Sequence, residues 1–331
     1  MRKIPKLKVR TVDFVRILVT IESFEVSGRT RIRQVWRMIR SKSSESILTL
    51  YFPMLIERQL FIEFVLIPLN HGYIISRMQF KLALVTGASA GIGEATARGL
   101  AKAGCNLILV ARRKERLVAL KKDLSRKVEV EVVPLDISNR KQVEGFLKSK
   151  SKLVSQIDLL VNNAGMAKGR EPFQEGSIDN WNEMIEINVK GLLYLTRGIV
   201  PSMIKNDFGH IVNIGSVAGR WTYANGAVYC ATKFAVRAIS EGLRLDLMGS
   251  KIRVTNIEPG MVETEFSLVR FGDKEKAKAV YKGLTALTGQ DIAETILWCV
   301  DRPPHVNIQE VVVFPTDQAG IANVHRRSTH D

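Results

Sequence analysis

Cysteine is scarce in this 331-residue chain: Cys105, Cys230 and Cys299 are the three present, without metal-ligand spacing. That excludes a disulfide-stapled secreted scaffold and a thiolate metal centre, and leaves reduced thiols in a cytoplasmic protein with no metal site. Also missing is an uncharged run of the roughly 20 apolar residues a membrane-crossing helix needs. The first apolar run is short and carries Asp13 and Arg16, which excludes a secretory signal. Neither an internal repeat nor a low-complexity segment is present, so a solenoid is excluded.

Acidic residues are outnumbered, 33 against 49 Lys and Arg, for a net charge of +16. The surplus is uneven. Residues 1–77 hold 14 basic and 6 acidic side chains, and the other 254 residues hold 35 and 27. No nucleic-acid-reading motif accompanies the charge, so neither nucleic acid nor membrane is the expected partner. A hydrophobic fraction of 46% and a charged fraction of 25% are those of a globular protein able to bury a core.

Residues 1–77 read unlike the rest: an Arg-rich stretch, a polar run from Ser41 to Ser46, then apolar sequence broken by Pro53, Glu57, Arg58, Glu63 and Pro68. Met78 stands directly before a strand-like run. The expected organisation is an N-terminal extension over 1–77 outside the fold, disordered or a start site placed too early, followed by one domain over 78–331. An Arg-rich organelle-targeting peptide is the alternative for the extension.

From Phe80 onward short apolar runs alternate with amphipathic segments. Strands are expected over residues 82–86, 106–111, 128–134, 159–162, 209–214, 253–258 and 309–314. Helices are expected over 94–103, 114–124, 190–204, 229–247 and 290–300. This alternation predicts an α/β fold, a doubly wound parallel sheet of Rossmann type with its ligand crevice at the carboxyl ends of the strands.

Tyr229 and Lys233, four residues apart, share one helix face, with Ser216 thirteen residues before the tyrosine. A cation near a phenol favours the phenolate and brings it toward useful acid–base chemistry, with Ser216 to hold the reacting oxygen. After the first strand comes Thr86-Gly87-Ala88-Ser89-Ala90-Gly91-Ile92-Gly93, a strand–loop–helix order suited to cradling a pyrophosphate. The second strand ends in Val110-Ala111-Arg112-Arg113, where an NAD site places a carboxylate for the ribose 2′-OH. Guanidinium groups there grip a 2′-phosphate, so the expected cofactor is NADP.

With these residues in hand, the chain resembles the short-chain dehydrogenase/reductase family over 80–331. The motifs carrying the resemblance are Thr86 to Gly93, Asn162-Asn163-Ala164-Gly165, Asn188, Ser216 with Tyr229 and Lys233, and Pro259-Gly260. The resemblance implies that Tyr229 is the general acid or base, and that Lys233 holds the nicotinamide ribose and biases the tyrosine toward phenolate. It implies that Ser216 binds the substrate oxygen and that Asn188 fixes a water linking Lys233 to solvent. Asp136 and Ile137 would contact adenine, and Asn163, Ala164 and Gly165 would border the adenosine ribose.

The segment from Ile257 to Phe271, which includes Val262 and Thr264 as further cofactor contacts, is similar to NADP-dependent 3-hydroxy acid dehydrogenases that also oxidise serine. So are Pro304 to Ile308 and Asn323 to Arg326. That similarity implies a small 3-hydroxy acid substrate, whose carboxylate would meet Arg270 or, as the rival, Arg220. A general NADPH-dependent carbonyl reductase is the alternative enzyme, and a nucleotide-binding regulatory protein the non-enzymatic one. The resemblance further implies a homotetramer, with the tail from Asn323 to Asp331 able to reach a neighbouring subunit.

Overall fold

The computed structural model describes residues 79–328 and, before them, only the backbone of short paired strands. Residues Met1–Ile75 and Ser76–Asp331 form two separate compact units. In the first, Glu22–Val26 pairs antiparallel with Arg29–Arg33, and Ile47–Ile56 with Gln59–Pro68. Val15–Arg16 pairs antiparallel with Ile39–Arg40, and the remainder of that stretch, with the expected start at Met78, lies outside the described residues.

The second unit is built on a seven-stranded parallel sheet. Its strands are β1 (Leu82–Thr86), β2 (Asn106–Ala111), β3 (Val130–Pro134), β4 (Leu159–Asn162), β5 (Gly209–Ile214), β6 (Ile252–Pro259) and β7 (Glu310–Val313). They lie in the order 3-2-1-4-5-6-7. The chain moves outward in one direction from β1 to β3, then returns to place β4 on the other side of β1. That reversal opens a crevice beyond the carboxyl ends of β1 and β4.

Residues on β1, β4, β5 and β6 are buried throughout, as a sheet covered on both faces requires. Alternation then divides each strand between two cores. Ala83, Val85, Leu107 and Leu109 point into one core with Ala97 and Leu100 of helix α1 (Gly91–Lys102) and Leu117 of α2 (Lys114–Leu124). Leu84, Ile108 and Val110 point into the other. There they meet Val143 and Phe146 of α3 (Arg140–Ser149), and Leu195 and Ile199 of a later helix. Each fully buried Val, Leu or Ile among them contributes about 1.5–3 kcal/mol relative to exposure, so these faces fix which side each helix takes.

Helix α4 (Ile178–Ile185) runs into a π-helical segment, Glu186–Gly191, and on into α5 (Leu192–Asn206). The expected helix over 190–204 is thus the second half of a longer one. Helix α6 (Ala227–Asp246) buries Tyr229, Lys233, Val236 and Ser240 along one stripe. Two short helices, α7 (Phe266–Phe271) and α8 (Lys274–Ala279), form a lid after β6, and α9 (Gly289–Val300) closes the sheet face over α1. No helix among the described residues is long and apolar enough to cross a membrane.

Candidate active site

The loop after β1 is shaped by its glycines. Gly87 and Gly91 hold φ at 64° and 56°, the left-handed region that side chains disfavour. At Gly93 a Cβ would lie 2.4 Å from the Gly87 carbonyl oxygen and 2.4 Å from Asn163 Nδ2. The loop therefore packs backbone against backbone and leads into the N-terminus of α1, where free N–H groups and the helix dipole favour an anion.

Thr86 anchors this loop to the neighbouring strand. Its Oγ1 accepts hydrogen bonds from the backbone N–H groups of Asn163 (3.0 Å) and Ala164 (2.9 Å) and donates to the Val161 carbonyl (3.3 Å). Asn163 Nδ2 returns a bond to the Thr86 carbonyl at 2.8 Å. The ends of β1 and β4 are thus tied together beneath the crevice.

At the end of β2, Arg113 reaches back to the loop: Nε and Nη2 donate to Ser89 Oγ at 3.1 and 3.0 Å. Its Nη1 donates to Glu265 Oε2 at 2.7 Å, and Arg116 Nη1 donates to Glu265 Oε1 at 2.6 Å. The Arg112 side chain stands outward, with Nη1 3.9 Å from Glu183.

A cleft of about 730 Å³ runs from this loop to the lid. Residues 87, 89–92, 112, 113, 136, 137 and 163–165 line it beside the glycine loop, as do Pro259, Gly260, Val262 and Thr264 at and after the end of β6. Ser216, Tyr229, Lys233 and Arg270 meet at the other end. Of the sequence-predicted residues, Thr86, Gly93, Asn188 and Arg220 do not line it. The glycine-shaped cradle with Arg112 and Arg113 beside it fits a dinucleotide that bears an extra phosphate on its adenosine ribose.

Tyr229 and Lys233 are buried together on α6. Burial pushes the Tyr229 phenol above its ordinary range and nearby Tyr223 adds to the rise, while a hydrogen bond with Ser216 and the charge of Arg270 oppose it. Burial also lowers Lys233, to about 8. The Lys233 ammonium donates to the Ile214 carbonyl at 2.8 Å and sits 6.0 Å from the Tyr229 ring centroid. The expected bias toward phenolate from Lys233 is therefore not what dominates: desolvation of the phenol is the larger effect, and the cation nearest in influence is Arg270.

Ser216 Oγ accepts from the Ala218 N–H at 3.1 Å, which orients it at the start of a short 3₁₀ turn. Asn188 lies in the π-helical segment behind the cleft. Its Oδ1 accepts from the Met166 N–H and its Nδ2 donates to the Met166 carbonyl, both at 2.8 Å. Gly165 sits between Asn188 and Lys233: a Cβ there would be 3.3 Å from Asn188 Oδ1 and 3.5 Å from Lys233 Nζ.

The two candidate carboxylate ligands part company. Arg270, on α7, is held over the Tyr229 ring with Cζ 5.8 Å from its centroid. Its Nε donates to the Gly169 carbonyl at 3.1 Å and its Nη1 to the Tyr223 hydroxyl at 3.0 Å. Arg220, by contrast, donates to Glu258 and Glu310 and does not reach the cleft. Glu258 is fully buried, and Arg220 offsets the rise that burial imposes on its carboxyl. Arg220 is therefore an internal ion-pair partner of Glu258 and Glu310 and not, as its closeness to Ser216 suggested, a group facing the cleft.

Three residues that sequence reasoning missed shape the site. Tyr223 orients Arg270, Phe266 packs against Tyr229 with ring centroids 5.8 Å apart, and Glu265 clasps Arg113, directly before α2, and Arg116 within it. Only the two aromatics carried any signal, as apolar residues close in sequence to Tyr229 and Pro259-Gly260. The tail, through Ser328, folds onto its own chain: Arg326 donates to the carbonyls of Lys282 (2.5 Å) and Val280 (3.0 Å), and the Arg327 N–H to Gly283 (2.7 Å).

Comparison with known proteins agrees with this geometry. The chain is 49% identical over 249 residues to NADP-dependent 3-hydroxy acid dehydrogenase YdfG of Salmonella typhi, covering 74% of this chain and 99% of that protein. It is 44% identical over 256 residues to NADP-dependent 3-hydroxy acid dehydrogenase of Schizosaccharomyces pombe, covering 76% and 99%. Among solved structures, the closed form of serine dehydrogenase complexed with NADP+ superposes with a TM-score of 0.69 at 47% identity, covering 74% of this chain and all of that one. Residues 81–274 match the short chain dehydrogenase family, and the chain belongs to it.

Proposed function

We propose that this protein is an NADP-dependent oxidoreductase that interconverts small 3-hydroxy acids, serine among them, with the corresponding carbonyl compounds. One observation carries the reading. A guanidinium with no carboxylate partner among the described residues, Arg270, lies directly over the ring of the buried phenol Tyr229, in the same cleft as Ser216 and Lys233. A substrate with a hydroxyl at its β-carbon and a carboxylate at the other end spans such a pair. The names and NADP content of the relatives described above support the same class.

Gly87, Gly91 and the N-terminus of α1 would hold the pyrophosphate, Arg112 and Arg113 the 2′-phosphate, and Asp136 with Ile137 the adenine. When bound, NADP supplies or accepts the hydride at the alcohol carbon. Ser216 Oγ hydrogen-bonds the substrate oxygen, and Tyr229 gives that oxygen its proton in reduction and takes it in oxidation. Burial keeps the Tyr229 phenol protonated, the form from which reduction starts, but makes it a weaker acid, so the proton moves only as negative charge develops on the substrate oxygen. Lys233 would hold the ribose hydroxyls, and Asn188, next to Gly165, the water that connects Lys233 to solvent. Phe266 and the lid exclude bulk water from the transfer.

The test is an NADP-reduction panel of L-serine, L-threonine, 3-hydroxypropionate and 3-hydroxyisobutyrate against uncharged alcohols of equal length. Turnover confined to the acids is expected. Equal or better turnover of the uncharged alcohols would point instead to a general carbonyl reductase. We also propose a homotetramer, supported by exposed apolar side chains on the long helices, Leu193 and Ile204 on α5 and Phe234 and Leu245 on α6. Light scattering on the purified protein checks it, and a monomer would overturn it.

A further inference from the structure

The carboxylate of Glu265 stands where nothing in the proposed chemistry needs one. It lies at the entry to α7, on the lid, yet both its oxygens are engaged by arginines from the far side of the cleft: Arg113 at 2.7 Å and Arg116 at 2.6 Å. Arg113 meanwhile grips Ser89 of the phosphate cradle through Nε and Nη2. One guanidinium therefore joins the cradle, the end of β2 and the lid. The two arginines hold the Glu265 carboxyl below its ordinary range, so it is an anion at neutral pH.

We propose that Glu265 is a built-in competitor of the cofactor's 2′-phosphate. It is a specificity-determining latch that NADP(H) must displace from Arg113 and Arg116 and that NAD(H) leaves closed. The inference rests on the assignment of Arg113 to the 2′-phosphate. A phosphate monoester presents three acceptor oxygens and between one and two negative charges, against two oxygens and one charge on the carboxylate. It therefore wins the guanidinium groups. The displaced carboxylate cannot stay beside it without like-charge repulsion, so it moves outward.

The latch also reaches the substrate end. Glu265 is joined directly to Phe266, which packs on the Tyr229 ring, and α7 carries Arg270 over the same ring. Next to it, Thr264 presses on the cradle, where a Cβ at Gly91 would lie 3.1 Å from Thr264 Cγ2. A nucleotide that opens the latch thereby frees the segment that positions the carboxylate ligand, and one lacking the 2′-phosphate does not.

The experiment is a fluorescence titration of NADPH and of NADH into the wild-type protein, Glu265→Gln, Glu265→Asp and Arg113→Ala, read as Kd without turnover. Glu265→Gln should tighten NADPH by roughly three- to tenfold, the range that two half-exposed ion pairs translate into, and leave NADH unchanged. Glu265→Asp, which keeps the charge on a shorter arm, should fall between and guards against a misfolded Gln variant. Equal shifts for both nucleotides, weaker NADPH binding or no change would overturn the latch. Loss of NADH affinity with NADPH unaltered would overturn it too, by making Glu265 a ribose ligand. Arg113→Ala should weaken NADPH selectively. If it weakens both nucleotides equally, the arginine assignment itself fails, whatever Glu265 does.

Discussion

Replacing Arg270 by methionine separates recognition of the substrate's acid group from the chemistry at its hydroxyl. The guanidinium Nη2 has no hydrogen-bond partner among the described residues, while Nε and Nη1 are fixed by the Gly169 carbonyl and the Tyr223 hydroxyl. A carboxylate arriving at Nη2 thus meets a donor already held in place. A hydrogen bond to a charged group contributes about 1.5–3 kcal/mol, so its loss should cut kcat/KM for a 3-hydroxy acid by about ten- to a hundredfold. The substitution also removes the stacking of Arg270 on Tyr229 and Tyr223, at about 0.5–1 kcal/mol for each ring. That second loss acts on every substrate alike, so the informative quantity is a ratio. Initial rates of NADP reduction with 3-hydroxypropionate and with 1-propanol give it. The acid-over-alcohol preference should collapse in Arg270→Met and recover only in part in Arg270→Lys, whose point charge cannot keep both the Gly169 and Tyr223 contacts. An unchanged ratio in Arg270→Met would falsify the role.

Gly93→Ala should abolish cofactor binding and lower Tm, because the new Cβ meets the Gly87 carbonyl and Asn163 Nδ2 at 2.4 Å with no room to shift either; wild-type affinity in a dinucleotide titration would refute the cradle packing. Arg220→Ala should cost about 3 kcal/mol in urea unfolding, because it leaves the buried Glu258 carboxylate only Asn256 at 2.8 Å and the Arg237 charge at 4.0 Å, while the acid-over-alcohol preference stays as it was. A change in that preference without a loss of stability would restore Arg220 to the site. Lys233 is lowered from 10.5 to about 8, so between those pH values the unfolded chain carries a proton there that the folded chain has released, and folding stability gains with rising pH. Cys105 and Cys299, raised from 9.0 to about 12, act in the opposite sense above pH 9.0, so the comparison must be with Lys233→Met under identical conditions. The variant's stability advantage at pH 7 should shrink by pH 10.5, and a constant difference across that range would contradict the burial effect.

Much of the architecture is readable in the chain because a two-sided parallel sheet demands unbroken apolar strands. The expected runs over 82–86, 106–111, 159–162 and 209–214 coincide with β1, β2, β4 and β5. The outer strand β3 starts later than expected, at Val130, since Val128 bonds back to Leu124 in the turn after α2. Periodicity could not disclose the π-helical segment from Glu186 to Gly191, because it breaks the 3.6-residue repeat on which such reading depends. The helices of the lid are too short to show a period at all. The partners that decide the fate of the arginines were the least legible. Glu265 is 152 residues from Arg113, and Glu310 is 90 residues from Arg220; nothing local marks either pair. Spacing placed Lys233 beside Tyr229 correctly, but a long side chain turns its head toward whatever carbonyl is available, here that of Ile214.

The π-helical segment also constrains how this protein can change. One widened turn between α4 and α5 sets the Met184 side and the Leu195–Ile199 side of the helix out of register with each other. Inserting a further residue there, with no second widened turn to absorb it, would rotate everything on one side of the insertion by about 100° relative to the other. Asn188 could then no longer exchange both hydrogen bonds with Met166 while α5 kept its seat in the core. Substitutions in this stretch are a local matter. Changes in its length are not, and a library that samples insertions and deletions should find it the least forgiving part of the helix.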